Sequence, residues 1–421
     1  MSDAAVNGND VLADLEARGL VQDATELELL RASLAESPVT LYYGCDPSAD
    51  SLHIGNLIGV LILRRFADAG HRAIALAGGA TGMIGDPGGR SEERNLLDEA
   101  TLRHNVELIA EQLMRISGVE LVNNADWTAP ITVIEFLRDV GKFATVNQMM
   151  ARESVRARLE SEHGISFTEF SYQLLQANDY LHLFRERGCR LQIGGSDQWG
   201  NILAGVELIR KATGQHVHAF TWPLLLRSDG RKFGKSETGA IWIGAHRTSP
   251  FEFFQYWMQV PDADLRRFLL QLTLLPVDEC HAVAAAHEAA PERRDGQRRL
   301  AREVTTLVHG AEATAAAEEA SAILFGGSPL SASPRAFEVL AAEVPTSPFL
   351  PGDRPALADL VADTPLASSR SDARRALAQG ALYVNGERAD AERRLGPDDL
   401  LHGRWVLLRK GKRTHHLLDA G

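Results

Sequence analysis

The sequence of 421 residues has few cysteines and no long apolar run. Its three cysteines, Cys45, Cys189 and Cys280, stand far apart and form neither a disulfide framework nor a zinc pattern, which fits a reducing cytoplasm. The longest apolar stretch, residues 57–63, is too short to span a bilayer, and the polar, acidic residues 1–23 do not read as a signal peptide. We therefore expect a cytoplasmic protein that is not embedded in a membrane and holds no structural metal or prosthetic group.

The chain also lacks an excess of basic residues. Its net charge of −12 argues against general nucleic-acid binding, which requires clustered Lys and Arg. The residues from 355 onward differ, with 11 Lys and Arg against 9 Asp and Glu. A basic contribution to nucleic-acid binding is therefore expected in the tail rather than in the whole protein.

Strand and helix signals alternate over residues 40–239, which predicts an α/β domain with a Rossmann-like parallel sheet. Residues 39–43 are a predicted strand that runs into a turn at Gly44, and residues 72–77 are a second strand before a glycine-rich stretch. A third strand, residues 189–193, enters Gly194 and Gly195. Because ligands bind beyond the carboxyl ends of such strands, we expect these three glycine-bearing turns to line one crevice.

The second half of the chain changes character twice. Residues 250–324 are helical and rich in Ala, Glu and Arg, and a proline-rich stretch follows before a compact α+β unit. The predicted domains are a Rossmann-like α/β domain (residues 1–245), an α-helical domain (246–325), a connector (326–354) and a small α+β domain (355–421).

Two short motifs suggest contacts with a phosphate. Residues 53–56 read His-Ile-Gly-Asn at a strand-to-helix junction, where free backbone N–H groups and two polar side chains meet. Residues 230–236 read Gly-Arg-Lys-Phe-Gly-Lys-Ser, a glycine-bearing loop with two lysines three residues apart. Taken singly, the first motif also fits an ordinary helix start with a surface histidine, and the second a solvated basic turn.

Together, about 180 residues apart, the two motifs resemble the signature of class I aminoacyl-tRNA synthetases. Four further stretches, residues 41–44, 78–87, 164–172 and 192–201, resemble the tyrosyl-tRNA synthetases in particular. The resemblance implies a two-step reaction in which ATP activates tyrosine to tyrosyl-AMP and the amino acid passes to tRNA(Tyr). Mg²⁺ would accompany ATP.

The resemblance also implies an amino-acid pocket on one helix face. Tyr172, Gln176 and Asp179 are spaced i, i+4, i+7 and project from one side, a pattern that also fits an amphipathic helix with a solvated face. By the resemblance, Asp179 and Tyr42 would bind the substrate phenol. Tyr172, Gln176 and Asp86 would hold its ammonium group.

The remaining implied roles concern ATP and RNA. The expected ATP-binding residues are His53, Asn56, Arg90, Arg94, Asp197 and Lys235. The expected catalytic residues are His53, Asn56, Lys232, Lys235 and Ser236. Residues 366–386 resemble an S4-type RNA-binding domain, with Arg370, Arg374 and Arg375 as the expected RNA contacts.

The family pattern is not matched everywhere. Asn56 stands where the commonest motif has a second histidine, and Tyr43 and Cys45 differ from frequent family residues beside Tyr42.

A tryptophan-specific synthetase and a non-catalytic RNA-binding relative are the rival interpretations. The phenol-binding pair disfavours the first, and the intact His53, Lys232 and Lys235 disfavour the second. The family is typically homodimeric, and we expect the contact within residues 132–150.

Overall fold

The computed structural model describes residues 10–87, 97–160, 164–226, 228, 233–236 and 239–421. The chain divides into two compact units, of which one comprises Met1–Thr248 and Val260–Leu300 and the other Ser249–Gln259 and Ala301–Gly421. Within the described residues no helix is long and apolar enough to cross a membrane.

A five-stranded parallel sheet forms the centre of the first unit. Its strands are β1 (Thr40–Cys45), β2 (Arg72–Ala77), β3 (Glu120–Asn123), β4 (Cys189–Gly195) and β5 (His218–Trp222), in the order β3-β2-β1-β4-β5. The chain moves outward from β1 to β3 and then returns to the other side of β1. The carboxyl ends of β1 and β4 therefore flank a topological switch point, where α/β sheets bind ligands. The predicted Rossmann-like parallel sheet is confirmed.

The strand bounds follow the apolar pattern closely. Residues of β2 and β4 are mostly buried, as expected for strands covered on both faces. The predicted turn at Gly44 is wrong, because Gly44 and Cys45 continue β1 and pair with Leu76 and Ala77 of β2.

Helices cover the sheet of this unit and extend beyond it. They are α1 (Val11–Ala17), α2 (Leu27–Glu36), α3 (Ile54–Asp68), α4 (Glu99–Ser117), α5 (Ala125–Thr128), α6 (Val133–Asp139), α7 (Val146–Met150), α8 (Glu153–Leu159), α9 (Phe167–Arg187) and α10 (Trp199–Thr213). Two short strands, β6 (Lys235–Ser236) and β7 (Gly239–Ala240), pair with each other.

The predicted helical character of residues 250–324 is confirmed. The helices there are α11 (Pro250–Met258), α12 (Asp262–Leu272), α13 (Val277–Ala289), α14 (Asp295–His309) and α15 (Ala311–Leu324). In the stretch predicted as a connector, α16 (Pro334–Glu343) begins with proline, which suits the first turn of a helix, and β8 (Thr346–Pro348) follows. The bounds of the four segments proposed from the sequence stay a prediction.

The end of the second unit is the expected small α+β fold. Helices α17 (Leu357–Ala362) and α18 (Arg370–Ala378) accompany a sheet of order β10-β9-β11-β12-β8. The new strands are β9 (Leu382–Val384), β10 (Glu387–Arg388), β11 (Trp405–Lys410) and β12 (Thr414–Asp419). A hydrophobic cluster that includes Phe349, Leu377 and Val406 forms its own core.

Candidate active site

A cleft of about 560 Å³ lies at the switch point between β1 and β4. Its walls come from the end of β1, the start of α3, one face of α9 and the end of β4. The predicted residues that line it are His53, Asn56, Asp86, Tyr172, Gln176, Asp179 and Asp197. Residues from all three glycine-bearing segments also reach it, so the single crevice expected from the sequence forms. A larger cavity of about 980 Å³ lies against α7 and α10 and touches this cleft at Asp197 and Leu224.

One end of the cleft holds a buried carboxylate. Asp179 on α9 is 2% exposed, and it accepts hydrogen bonds from Asn124 Nδ2 at 2.9 Å and Trp127 Nε1 at 2.8 Å. Burial raises the pKa of Asp179 to about 7, although these two donors oppose the increase. A further hydrogen-bond donor would therefore stabilise the charged form of this buried carboxylate.

Tyr42 lies near Asp179 but is not among the residues that line the cleft. It lies on β1, is 2% exposed, and its ring packs 5.5 Å from that of Tyr180. Burial and then the nearby Asp179 charge raise the pKa of the Tyr42 hydroxyl, which has no hydrogen-bond partner among the described residues. A guest hydroxyl group can satisfy both side chains at once, because it donates one hydrogen bond and accepts others.

A network of polar residues that the sequence reasoning did not assign supports this end. Asn124 also donates to Thr81 Oγ1 at 3.0 Å and accepts from the backbone N–H of Ala80 at 2.7 Å. Thr81 in turn donates to Asp46 Oδ1 at 2.7 Å. A Cβ on Gly78 would lie 2.2 Å from the same Asp46 oxygen, so this position requires glycine. Nothing in the sequence indicated Asn124, because it directly follows β3, a strand that was not predicted.

The middle of the cleft is acidic. Tyr172 donates to Asp46 Oδ2 at 2.8 Å, and Gln198 Nε2 donates to Asp86 Oδ2 at 2.6 Å and to Asp197 Oδ2 at 3.3 Å. Burial, and then the charge of Asp86, raises the pKa of Asp197. The repulsion between Asp86 and Asp197 favours a cationic guest, since such a charge offsets it.

The other end of the cleft is the start of α3. His53 is the residue before the helix, and its Nδ1 accepts the backbone N–H of Gly55 at 3.0 Å. Asn56 Oδ1 accepts the backbone N–H of His53 at 3.3 Å. Desolvation by the cleft lowers the pKa of His53, which favours the neutral imidazole with its proton on Nε2. That proton can be donated to an anion such as a phosphate, whereas the backbone N–H groups of Ile54, Gly55 and Asn56 are already hydrogen-bonded within the protein.

The second signature motif returns to this helix start. Ile54 donates its backbone N–H to Ile241 O at 3.1 Å, and Ile241 donates to Gly234 O at 2.9 Å. Phe233, two residues before Lys235, lines the cleft. The backbone thus brings the two motifs together. Arg90, Arg94 and Lys232 lie outside the described residues, and Lys235 and Ser236 form β6.

A separate basic face lies on α18. Arg370, Arg374 and Arg375 are all exposed, while Ala373 and Leu377 are buried on the opposite side. Arg370 contacts Asp359 at 3.2 Å and Arg375 contacts Asp372 at 2.6 Å. The exposed guanidinium groups are suited to phosphate contacts.

No group of three or more metal-ligating side chains lies together in the described part of the chain. The two ends of the cleft differ chemically, since the buried Asp179 carboxylate, with the Tyr42 hydroxyl near it, lies at one end and the His53 imidazole lies at the other.

Comparison with known proteins identifies the family. Residues 34–326 match the family of tRNA synthetases class I (W and Y), and residues 336–418 match the tyrosine–tRNA ligase SYY-like C-terminal domain. The chain is 49% identical to the tyrosine–tRNA ligase of Opitutus terrae over 96% of this chain and 98% of that protein. It is 48% identical to the tyrosine–tRNA ligase of Bacillus caldotenax over 97% and 99%.

A solved structure gives the same result. The C-terminally truncated Aspergillus nidulans mitochondrial tyrosyl-tRNA synthetase superposes with a TM-score of 0.70 at 31% identity, over 75% of this chain and 94% of that chain. Family, fold and cleft therefore agree: the chain belongs to the bacterial tyrosyl-tRNA synthetases, the tyrosine–tRNA ligases of the class I aminoacyl-tRNA synthetase group.

Proposed function

We propose that this chain activates L-tyrosine with ATP in the cleft between β1 and β4, and then transfers the tyrosyl group to tRNA(Tyr). The tyrosine carboxylate attacks the α-phosphorus of ATP, forming tyrosyl-AMP and releasing pyrophosphate. A hydroxyl of the terminal tRNA ribose then attacks the adenylate carbonyl and releases AMP. No side chain needs to act as a nucleophile, so the protein contributes positioning and electrostatic stabilisation.

The observation that carries the amino-acid assignment is the pair at the buried end of the cleft. Asp179 is held by two donors and retains lone pairs, and the Tyr42 hydroxyl is buried without a partner in the described part of the chain. The phenol of tyrosine donates to Asp179 and accepts from Tyr42. Phenylalanine offers no hydroxyl group to either side chain, so the buried Tyr42 hydroxyl keeps no partner and Asp179 gains no further hydrogen bond. A site built to bind a hydroxyl rejects an analogue without one for this reason, and the tyrosyl-tRNA synthetases are the established example of such discrimination.

The acidic middle of the cleft receives the ammonium group. Tyr172, Gln176 and Asp86 line this part, and Gln176 Oε1 is buried with no hydrogen-bond partner among the described residues. An ammonium group has three donors and no acceptor, so it matches a carboxylate, an amide oxygen and a phenol oxygen.

ATP occupies the end of the cleft at α3. His53 and Asn56 contact its phosphates from the helix start, and Asp197 accepts a hydrogen bond from its ribose. Lys232, Lys235 and Ser236 stabilise the departing pyrophosphate, and Arg90 and Arg94 reach the same phosphates. Mg²⁺ enters with ATP as part of the substrate complex.

The exposed arginines Arg370, Arg374 and Arg375 contact the tRNA backbone through charge and hydrogen bonds. Phosphate contacts of this kind position the RNA and carry little sequence information. We place the action of the enzyme in the cytoplasm, where its three free cysteines stay reduced.

We also propose that two copies associate through α6 and α7. Val133 is 73% exposed, Ile134 71% and Leu137 51%, and they share one face of α6. Val146 and Met150 of α7 are exposed too. Sedimentation of Ile134→Glu should give a monomer while wild type gives a dimer, and a monomeric wild type would contradict the proposal.

The test of the reaction is tyrosine-dependent ATP–pyrophosphate exchange, run also with tryptophan and phenylalanine. We expect exchange with tyrosine to exceed both by several orders of magnitude. Preferred exchange with tryptophan would favour a tryptophan-specific enzyme, and no exchange with any of the three would favour a non-catalytic RNA-binding relative.

Asp179→Ala tests the specificity site. Losing a hydrogen bond to a charged group should lower kcat/KM for tyrosine relative to phenylalanine by about ten- to a hundredfold. An unchanged ratio would remove Asp179 from the specificity site.

A further inference from the structure

One face of α12 contacts the second signature motif, residues 230–236, and the chain that precedes it. Asp264, Arg267 and Phe268 are spaced i, i+3, i+4 on this helix, so their side chains lie on the same side. Asp264 is only 2% exposed, and Phe268 is completely buried. An aspartate is rarely buried to this extent unless it is paired, so the partners of Asp264 indicate its role.

The buried carboxylate of Asp264 binds the chain just before the motif. Its Oδ2 accepts two hydrogen bonds from Ser228, one from the backbone N–H and one from the hydroxyl group, both at 2.9 Å. Its Oδ1 accepts a hydrogen bond from Arg267 Nη2 at 2.6 Å, and the same nitrogen donates to Leu226 O. Both carboxylate oxygens therefore hold this segment, one directly and the other through Arg267. Hydrogen bonds to a charged group are stronger than those between neutral groups.

The third residue of this helix face contacts the motif itself. Phe233 meets Phe268 edge-on, with ring centroids 5.2 Å apart. The Arg267 guanidinium lies over the same Phe268 ring, 5.2 Å from its centroid, so the aromatic contact and the ion pair support each other. The helix α12 thus contacts the chain before the motif, at Leu226 and Ser228, and within it, at Phe233.

Packing of α12 does not depend on these polar contacts. Leu265, Leu269 and Leu272 are buried and attach the helix to the core of the first unit. Leu226, in contrast, is 67% exposed, and Ser228 is exposed as well. Because this segment buries little apolar surface, the hydrogen bonds from α12 set its position more than hydrophobic burial does.

We propose that Asp264 is a positioning residue for adenylate formation: together with Arg267 and Phe268 it holds the chain around the motif in the place from which Lys235 stabilises the departing pyrophosphate. This rests on the proposed role of Lys235. A displacement of about 1 Å in a group that acts on the transition state can cost about 10²-fold in rate. Tyrosine binding is not affected, since the pocket proposed for tyrosine lies on β1 and α9.

The test is the pre-steady-state rate of tyrosyl-AMP formation in the full-length enzyme. Asp264→Ala should lower this rate by about 10- to 100-fold and leave the KM for tyrosine within about twofold of wild type. Asp264→Asn keeps one oxygen acceptor, so it should lose only about 3- to 10-fold. In the Lys235→Ala background, the factor lost through Asp264→Ala should be at least about threefold smaller than in wild type, because part of the effect passes through this lysine.

Asp262→Ala is the matched control. Asp262 lies in the same first turn of α12, but its Oδ1 accepts a hydrogen bond from Gln297 Nε2 at 2.6 Å and lies 2.9 Å from His287 Nε2. The rate of tyrosyl-AMP formation should stay within about twofold in this variant. Arg267→Ala, which removes the second arm of the contact, should lower the rate by about 3- to 10-fold. Urea unfolding midpoints of all variants show whether a loss reflects folding.

Several outcomes would overturn the inference. One is an Asp264→Ala rate within about twofold of wild type, and another is an equal loss in Asp262→Ala, because α12 as a whole would then matter rather than this face. Effects of Asp264→Ala and Lys235→Ala that multiply would show that Asp264 does not act through the lysine. Where Asp264→Ala does not fold, unchanged rates in both Asp264→Asn and Arg267→Ala would overturn it. A wild type without tyrosine-dependent exchange would instead overturn the proposed function itself.

Discussion

Replacing Asp179 with asparagine should alter the stability of the ligand-free protein relative to wild type, and the variant should compare more favourably with wild type at pH 8 than at pH 5. Burial raises the pKa of this carboxyl group from 3.8 in a model peptide to about 7 in the folded protein. Between pH 3.8 and about pH 7 the folded state holds the proton and the unfolded state does not. The free energy of unfolding of wild type therefore falls as pH rises, by about 1.4 kcal/mol per pH unit, until the folded carboxyl group also ionises.

The magnitude follows from the two pKa values and the hydrogen bonds. At pH 5 this group has lowered the free energy of unfolding of wild type by about 1.5 kcal/mol, and above pH 7 by about 4 kcal/mol. The asparagine variant has no such dependence, but its new NH₂ group cannot accept the hydrogen bonds of both Asn124 and Trp127, which costs about 1–3 kcal/mol at every pH. The stability difference between variant and wild type should thus move by about 2–3 kcal/mol in favour of the variant from pH 5 to pH 8.

The assay is urea unfolding of Asp179→Asn and wild type at one protein concentration, at pH 5 and pH 8, without tyrosine. Asp398→Asn is the matched control, because its side chain is 91% exposed and water solvates its charge in both states. We expect no comparable trend there. If the difference for Asp179→Asn were the same at both pH values, the reasoning that burial raises this pKa would be refuted.

Three further changes test other parts of the molecule. Lys235→Ala should slow adenylate formation by about 10²–10³-fold and leave the KM for tyrosine nearly unchanged, and a pre-steady-state rate within about twofold of wild type would remove it from pyrophosphate stabilisation. Replacing Arg370, Arg374 and Arg375 together with alanine should weaken tRNA charging and flatten its salt dependence, while ATP–pyrophosphate exchange stays constant; equal charging would exclude this face. Arg158→Met should destabilise the protein by about 3–5 kcal/mol in urea unfolding, because it leaves Glu169, the buried partner 2.7 Å away, without its counter-charge; a loss below about 1 kcal/mol would contradict this.

Apolar periodicity predicted the central strands well but not all strands. Residues 72–77 form β2 as expected, since a strand buried on both faces is nearly continuous in apolar residues. Strand β3 was not predicted because it lies at the sheet edge and contains Glu120 and Asn123 among its four residues, none of which is fully buried. The end of β1 was misplaced because a glycine looks like a turn, whereas pairing with β2 keeps Gly44 extended.

The proline-rich stretch shows a related effect. Composition favoured a connector, yet Pro334 starts α16 and Pro348 ends β8. Proline is tolerated at the first turn of a helix and at a strand edge, so its frequency alone does not distinguish a linker from short structured elements.

For the cleft, motifs predicted which residues meet but not what holds them. Tyr172 and Asp46 are 126 residues apart, and Asn124 and Asp179 are 55 apart, so no local spacing indicates either hydrogen bond. Only the return of the chain across β1 brings these segments together. The structure was therefore needed to identify the supporting residues Thr81, Asn124 and Trp127. The residues on one face of α9, in contrast, could be predicted from their spacing.

The alternation of β1 also explains how one short strand can serve two substrates. Tyr42 faces α9 and the pocket proposed for the amino acid, while Tyr43 faces α3 and the proposed site for ATP. At the end of the strand, Asp46 is bound by Tyr172 from the α9 side. In the proposed reaction the tyrosine carboxylate and the α-phosphorus must meet where the two faces join, beyond Gly44 and opposite Gly194 on β4. Gly44 and Gly194 both line the cleft at this point, and a Cβ on Gly194 would lie 2.8 Å from Ile202, so the packing of α10 against β4 also favours glycine there.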